Sequence, residues 1–271
     1  MSALFSVKDK TILISGSTGV LGSQITQYLA REGAYVIVLG RNRKKVDELI
    51  RQISKDGGKA YPLISDVTSE EALKQAKEQL EKDIGKIDVL INAAGGNMPG
   101  AIVTPDQKIT DVQIDEVKKV MELNYLGTFL PIQIFTPLLL KNPEASIINI
   151  SSMAASRPLT RVMGYASAKA AIDNLTKWLA VEYCQKYGKG FRVNAVAPGF
   201  FLTEQNRALL TTNDGNLTDR GNQIKSHTPM DRFGNPEDLF GAIGFLCSDA
   251  SKFVTGTIIP VDGGFSAYAG V

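Results

Sequence analysis

The sequence predicts an α/β fold, a single doubly wound domain on a seven-stranded parallel sheet. Three observations predict it. Short β-branched runs alternate with longer segments of helix-spaced apolar residues from Thr11 onward, the pattern of parallel strands linked by helical crossovers. A glycine-rich turn, SGSTGVLG from Ser15 to Gly22, stands between the first such run and the first helical segment. No repeat, low-complexity tract or linker divides the 271 residues, a length that one α/β core can fill, so residues 1–271 are read as one domain.

Taken in order, strands are expected at Thr11 to Ser15, Tyr35 to Leu39, Ala60 to Ile64, Val89 to Asn92, Ser146 to Ile150, Arg192 to Ala195 and Thr257 to Pro260. Helical spacing marks Leu21 to Glu32, Lys44 to Lys55, Glu70 to Ile84, Val117 to Leu140, Tyr165 to Tyr187 and Pro236 to Ser248. The longest apolar run, Tyr125 to Leu140, contains Gly127, Pro131 and Pro137 and reads as a buried helix, not a membrane span. Two long irregular stretches, about 97–116 and 200–235, follow the fourth and sixth strands. They leave the carboxyl ends of strands, where open α/β sheets bind ligands, and are therefore the expected substrate loops.

Composition narrows the chemistry. With 30 basic and 28 acidic side chains the net charge is +2, which gives no electrostatic basis for binding nucleic acid or an anionic membrane. A small-molecule substrate is the better expectation. Cys184 and Cys247 form no spaced pair and His227 is the single histidine, so neither a disulfide nor a metal site is expected. The N-terminal stretch MSALFSVKDK lacks the apolar segment of a signal peptide, and a cytoplasmic location is expected.

Gly16, Gly19 and Gly22 recur every third residue at the entry to a helix, which suits the close approach of a dinucleotide pyrophosphate to the helix N-terminus. This is the turn of a Rossmann-type domain. In such domains the second strand normally ends in an acidic residue that binds the adenosine ribose. Here it ends Leu39-Gly40-Arg41, with no acidic residue between Glu32 and Asp47 and with Arg43, Lys44 and Lys45 following. Cations crowding a helix start call for an anion, and a ribose 2′-phosphate gripped by Arg41 fits. NADP(H) is thus the preferred cofactor, with NAD(H) as the alternative.

Tyr165 and Lys169 lie four apart on one helix face, and Ser152 stands at the end of the fifth strand. A tyrosine titrates near 10, so proton exchange at neutral pH requires about 4 kcal/mol of phenolate stabilisation, which the Lys169 ammonium and an oxidised nicotinamide would supply. Ser152 would hydrogen-bond the reacting oxygen.

On these residues the chain resembles the short-chain dehydrogenase/reductase family along nearly its whole length. The family's YxxxK matches Tyr165 to Lys169, its catalytic serine Ser152 and its active-site asparagine Asn124. Its NAG motif matches Asn92, Ala94 and Gly95, its adenine-contacting aspartate Asp66, and its PG motif with the following threonine Pro198, Gly199 and Thr203. The resemblance implies a cofactor site made of Gly16, Ser17, Thr18, Gly19, Val20, Leu21, Arg41, Asn42, Asp66, Val67, Asn92, Ala93, Ala94, Gly95, Tyr165, Lys169, Pro198, Gly199, Phe201 and Thr203. It also implies that Lys169 binds the nicotinamide ribose, and that the protein is a homotetramer joined partly through the Tyr165 helix. The glycine turn departs from the family pattern, which would place glycine at Val20 and threonine at Ser15.

Within the family, NAAGGN, APGFFLTEQNRALL, HTPMDRFG and VDGGFSAYAGV are similar to the D-mannonate oxidoreductase, or fructuronate reductase, branch. That likeness implies a hexuronate or other keto acid substrate, most simply fructuronate reduced to mannonate. Branches that reduce 5-ketogluconate or 3-oxoacyl thioesters share the same core. The branch is generally associated with NAD, whereas Gly40 and Arg41 favour NADP. Asn97, Ser152, Met153 and Arg207 are the expected substrate contacts, Arg207 taking the carboxylate, with Arg157 and Arg161 as alternatives. A dinucleotide-binding sensor without catalysis is the contrasting reading, and it gives no reason for a phenol beside an ammonium.

Overall fold

The computed structural model describes residues 3–202, 210–212 and 214–270. Seven parallel strands, β1 Thr11–Ser15, β2 Tyr35–Gly40, β3 Lys59–Ile64, β4 Val89–Asn92, β5 Ala145–Ile150, β6 Phe191–Pro198 and β7 Ile258–Val261, form one sheet in the order β3-β2-β1-β4-β5-β6-β7. The strand order reverses between β1 and β4, and the crevice at their carboxyl ends is where such sheets take ligands.

The described helices are α1 Val20–Arg31, α2 Arg43–Lys55, α3 Glu70–Asp83, α4 Ile114–Met121, α5 Gly127–Leu139, α6 Met163–Lys186, α7 Asp219–Ser226 and α8 Phe240–Cys247. Along β1, Leu13 packs into a cluster with Leu80, Phe135 and Leu179 of α3, α5 and α6. Its neighbours Ile12 and Ile14 join the opposite cluster with Ile25, Val46 and Ile243 of α1, α2 and α8. Successive side chains point to opposite faces, so a strand apolar throughout feeds two cores.

Helix starts follow local chemistry. Asn42, Ser69 and Thr218 cap α2, α3 and α7, their side chains accepting from the N–H of Lys45, Ala72 and Gly221. Helix α1 differs: its N-cap is Gly19, which has no side chain to offer, and its first turn carries no acidic residue. The donors at this helix end are left for an outside anion.

Three expectations needed correction. The segment foreseen as one helix from Val117 to Leu140 is broken by a π-helical turn at Glu122–Leu126 between α4 and α5. Periodicity over this apolar run does not register one extra residue in a turn. β6 extends to Pro198, three residues past the expected end, because β7 pairs with it there. The two substrate loops are partly ordered: the first holds 3-10 turns at Pro99–Ala101 and Ile109–Asp111 and the start of α4, the second holds α7. Among the described residues no helix is long and apolar enough to cross a membrane.

The glycine turn is set by contact. Gly16 has φ +66°, and a Cβ there would lie 2.5 Å from the Ala94 amide nitrogen; a Cβ at Gly22 would lie 2.2 Å from the Gly16 carbonyl oxygen. Val20 needs no such freedom, since it is the first residue of α1 and is not among the positive-φ residues. Gly22→Ala is therefore expected to push α1 off the turn, costing about 1–3 kcal/mol of overpacking strain in denaturant unfolding and weakening dinucleotide binding. An unchanged unfolding midpoint would show that the turn has slack.

Candidate active site

A cleft of about 330 Å³ opens above the carboxyl ends of β1, β4, β5 and β6, with Gly16, Gly19, Val20 and Leu21 on one wall and Ser152, Tyr165, Lys169, Pro198, Gly199 and Phe201 on the other. Ala93 and Gly95 form its floor and continue into a second cleft of about 170 Å³, lined by Thr18, Gly40, Arg41, Ser65, Val67 and Ala94. The two together trace a path from Tyr165 to the end of β2.

Tyr165 and Lys169 lie one turn apart near the start of α6, and the Lys169 ammonium stands 5.5 Å from the Tyr165 ring centroid. Lys169 is only 3% exposed and donates to the Ile150 carbonyl at 2.7 Å. Burial pushes its pKa down to about 8, while the charge of Asp173, one further turn along, holds it up. Asp173 in turn accepts a hydrogen bond from Ser151, and its own pKa is raised by burial. Tyr165 corrects an expectation. Its phenol is raised above 10 by burial, with a Ser152 hydrogen bond pulling it partly back. Desolvation of phenolate outweighs its neighbours here, so in the protein alone the phenol is protonated at neutral pH, the form that can donate a proton.

Asn124, expected among the catalytic residues, has its side chain engaged by backbone. It sits fully buried in the π-helical turn, with Nδ2 donating to the carbonyls of Gly96 and Val120 at 2.7 and 2.8 Å and Oδ1 accepting from the Gly96 N–H at 3.2 Å. Both amide protons hold backbone, which makes Asn124 a positioning residue for the Gly95–Gly96 floor. A Cβ on Gly95 would meet Asn124 Oδ1 at 2.7 Å and Lys169 Nζ at 3.2 Å, so only glycine passes between them.

Several other expected residues act through structure. Ser17 is buried and donates its hydroxyl to the Leu39 carbonyl at 3.0 Å, tying the turn to β2. Asn42 caps α2 through its side-chain oxygen. Asp66 accepts from the N–H and hydroxyl of Thr68 at 2.9 and 2.8 Å and from Arg41 at 3.3 Å. Asn92 donates to Asn149, which donates to Thr176. Met153, expected at the substrate, is 2% exposed because its 3-10 turn folds it inward. Asn97 receives the Met98 N–H and lines neither cleft. His227 Nδ1 donates to the Gln223 carbonyl at 2.9 Å. Thr203 and Arg207 lie outside the described residues.

The sequence reading overlooked Asp173 and Arg220. Asp173 was detectable, since Tyr165, Lys169 and Asp173 recur at intervals of four and share a helix face. Arg220 lay hidden in a polar run with no periodic signal.

These residues suit a nicotinamide dinucleotide. The glycine cradle would be filled by any Cβ, the α1 start lacks a side-chain cap, and Ser65 Oγ and Asn92 Oδ1 are buried without a hydrogen-bond partner beside the path. Unmet polar groups and open helix donors are what a polar, anionic ligand satisfies.

Comparison with known proteins agrees. A family described as enoyl-(acyl carrier protein) reductase matches residues 17–266. Oxidoreductase UxuB of Bacillus subtilis is 44% identical over 98% of both chains. The crystal structure of a candidate D-mannonate oxidoreductase from Haemophilus influenzae, with bound NAD, superposes with a TM-score of 0.91 at 44% identity over 98% of both chains. A gluconate 5-dehydrogenase from Burkholderia cenocepacia, in complex with NADP and tartrate, gives 0.87 at 29% identity, covering 98% of this chain and 99% of its own. With the YxxxK helix, the glycine turn and the full-length likeness in agreement, the chain belongs to the short-chain dehydrogenase/reductase family, whose members transfer hydride between NAD(P) and alcohol or ketone groups.

Proposed function

We propose that this oxidoreductase reduces the ketone of a keto sugar acid of the hexuronate type, fructuronate to mannonate, with NADPH. The observation that carries the chemistry is the protonated Tyr165, hydrogen-bonded by Ser152, with the buried Lys169 ammonium beside its ring. Likeness to the Haemophilus and Burkholderia structures supports the substrate class.

The glycine turn, the Ala93–Gly95 floor and Lys169 would hold the dinucleotide, whose nicotinamide supplies the hydride for the carbonyl carbon. Tyr165 donates its phenolic proton to the carbonyl oxygen, and Ser152 hydrogen-bonds the same oxygen and orients it. Lys169 stabilises the phenolate left behind, because an ammonium in a poorly solvated pocket interacts strongly with a nearby anion. Assembly as a homotetramer through α6 is supported by the exposed Trp178 and Val181 on that helix.

For the cofactor, Gly40 and Arg41 carry the reading. A Cβ on Gly40 would lie 3.1 Å from Val46 Cγ2 and 3.2 Å from Thr18 Oγ1, which leaves little room for a ribose-binding carboxylate. Arg41 is exposed and, among the described residues, pairs with Asp66 alone, at 3.3 Å. An exposed pair of this kind contributes about 0–1 kcal/mol, so a 2′-phosphate displaces it readily.

Three measurements test these assignments. The unmodified protein is expected to reduce fructuronate faster than 5-ketogluconate or an acetoacetyl thioester, and Tyr165→Phe to abolish that turnover with dinucleotide affinity nearly retained. Reduction of the thioester but not of either sugar acid would replace the substrate assignment. Arg41→Ala should weaken NADPH at least about tenfold, the loss of about 1.5–3 kcal/mol of charge-assisted contact, and leave NADH little changed; better use of NADH by the unmodified protein would reverse the cofactor assignment. The third concerns pH. Lys169 is cationic below about 8 and loses its charge as pH rises through that value, and the Asp173 charge, which also faces Ser151 and Lys177, keeps its pKa from falling further. Asp173→Asn should therefore move the alkaline limb of kcat/KM for ketone reduction to lower pH, and an unmoved limb would remove Asp173 from this role.

A further inference from the structure

Beyond the lining of the Tyr165 cleft, two arginines stand close together at the carboxyl edge of the sheet, and among the described residues neither has a carboxylate partner. Arg161 lies four residues before Tyr165, in the loop from β5 to α6, and its carbonyl accepts from the Val103 N–H at 3.0 Å. Its φ is +78°, a left-handed conformation that a long side chain keeps only when its surroundings impose it. Arg220, half-buried in the first turn of α7, donates from Nη1 to Thr160 Oγ1 at 3.4 Å, at the residue preceding Arg161. Segments following β4, β5 and β6 thus meet at the carboxyl edge of the sheet, the edge on which the Tyr165 cleft opens.

The two guanidinium groups oppose each other. Arg220 is held below the usual arginine range by burial and by the charge of Arg161. Among the described residues no carboxylate forms an ion pair with either. Other arginines show what a paired environment looks like here: Arg232 grips Asp238 with both terminal nitrogens, at 2.6 and 2.9 Å, and Arg157 donates to the Ser266 carbonyl at 2.7 Å. Two like charges drawn together, one half-buried and the other in a strained conformation, are an unfavourable arrangement for the protein alone. An anion between them reverses the sign of the interaction, and planar forks match a carboxylate with two parallel hydrogen bonds.

We infer that Arg161 and Arg220 form the carboxylate clamp of the substrate site, gripping the acid group of a keto sugar acid at the end remote from the ketone that Tyr165 protonates. The clamp rests on the keto sugar acid reading above and specifies it, placing acid recognition on two described arginines instead of on Arg207. Because Arg161 lies in the loop from β5 to α6 and Arg220 on α7, an acid substrate joins the two segments, and a neutral ketose does not.

The test uses the full-length protein with NADPH bound, and Arg161→Ala, Arg220→Ala and Arg220→Lys variants. Binding of D-mannonate to the protein saturated with cofactor is measured by calorimetry, and kcat/KM is measured for fructuronate and for fructose as its neutral counterpart. Each alanine variant is expected to weaken mannonate at least about tenfold and to lower the acid-to-neutral ratio of kcat/KM by a similar factor. Arg220→Lys should recover part of the loss, since it restores charge without the fork. Variants that bind mannonate as tightly as the unmodified protein, or that lose fructuronate and fructose equally, overturn the clamp. No turnover of fructuronate by the unmodified protein, alongside reduction of an acetoacetyl thioester, overturns the functional reading instead; mannonate binding then still scores the clamp, which fails if the unmodified protein does not bind it.

Discussion

The Lys169 ammonium, 3% exposed, is the constraint around which the site is arranged. Burying an ammonium costs several kcal/mol unless its protons are accepted and its charge is balanced. The Ile150 carbonyl at 2.7 Å takes one proton at the end of β5, and Asp173 supplies the balancing charge from the next turn of α6. Neither suffices to keep the pKa at its ordinary value, which falls to about 8. The ammonium is therefore poised: cationic at neutral pH, held by the Ile150 carbonyl and the Asp173 charge, with the Tyr165 ring 5.5 Å away.

That arrangement propagates outward. Gly95 passes between Lys169 and Asn124 with no room for a side chain, so the floor of the cleft takes its shape from both. Asn124 reaches this position because the π-helical turn inserts an extra residue between α4 and α5, turning its amide toward Gly96 while α5 returns to the core. The floor then meets the glycine turn, where Gly16 presses on the Ala93–Ala94 backbone and Gly22 on Gly16. A chain of close backbone contacts thus runs from the buried lysine to the start of α1, and it leaves the sheet's switch point lined with open peptide donors instead of side chains.

Much of this was legible in the sequence because it depends on local rules. Alternating apolar runs gave all seven strands, and glycine spacing located the turn, since both follow from backbone geometry within a few residues. The YxxxK pair was legible for the same reason, through helical periodicity. What stayed hidden depends on tertiary context. The π-helical turn leaves no mark in an apolar segment, the raised Tyr165 pKa reflects burial by distant residues, and the inward turn of Met153 is decided by a three-residue helix. Asn124 was read as a catalytic residue, and the partners of its amide protons, Gly96 and Val120, came into view only with the fold.

The division between chemistry and selectivity has a physical basis in this architecture. The groups proposed to react, Ser152 just past β5 and Tyr165 and Lys169 on α6, sit inside close contacts, so variation there would alter the proton transfer itself. The groups proposed for selectivity lie beyond, on the loop from β5 to α6 and on α7, where Arg220 donates to Thr160 beside Arg161 and, among the described residues, no carboxylate pairs with either arginine. A rigid site with a matched phenol and ammonium can reduce many ketones. On the proposed clamp, charge at the rim is what would favour an acid, because the field of two arginines attracts an anion and the same field gives a neutral ketone nothing.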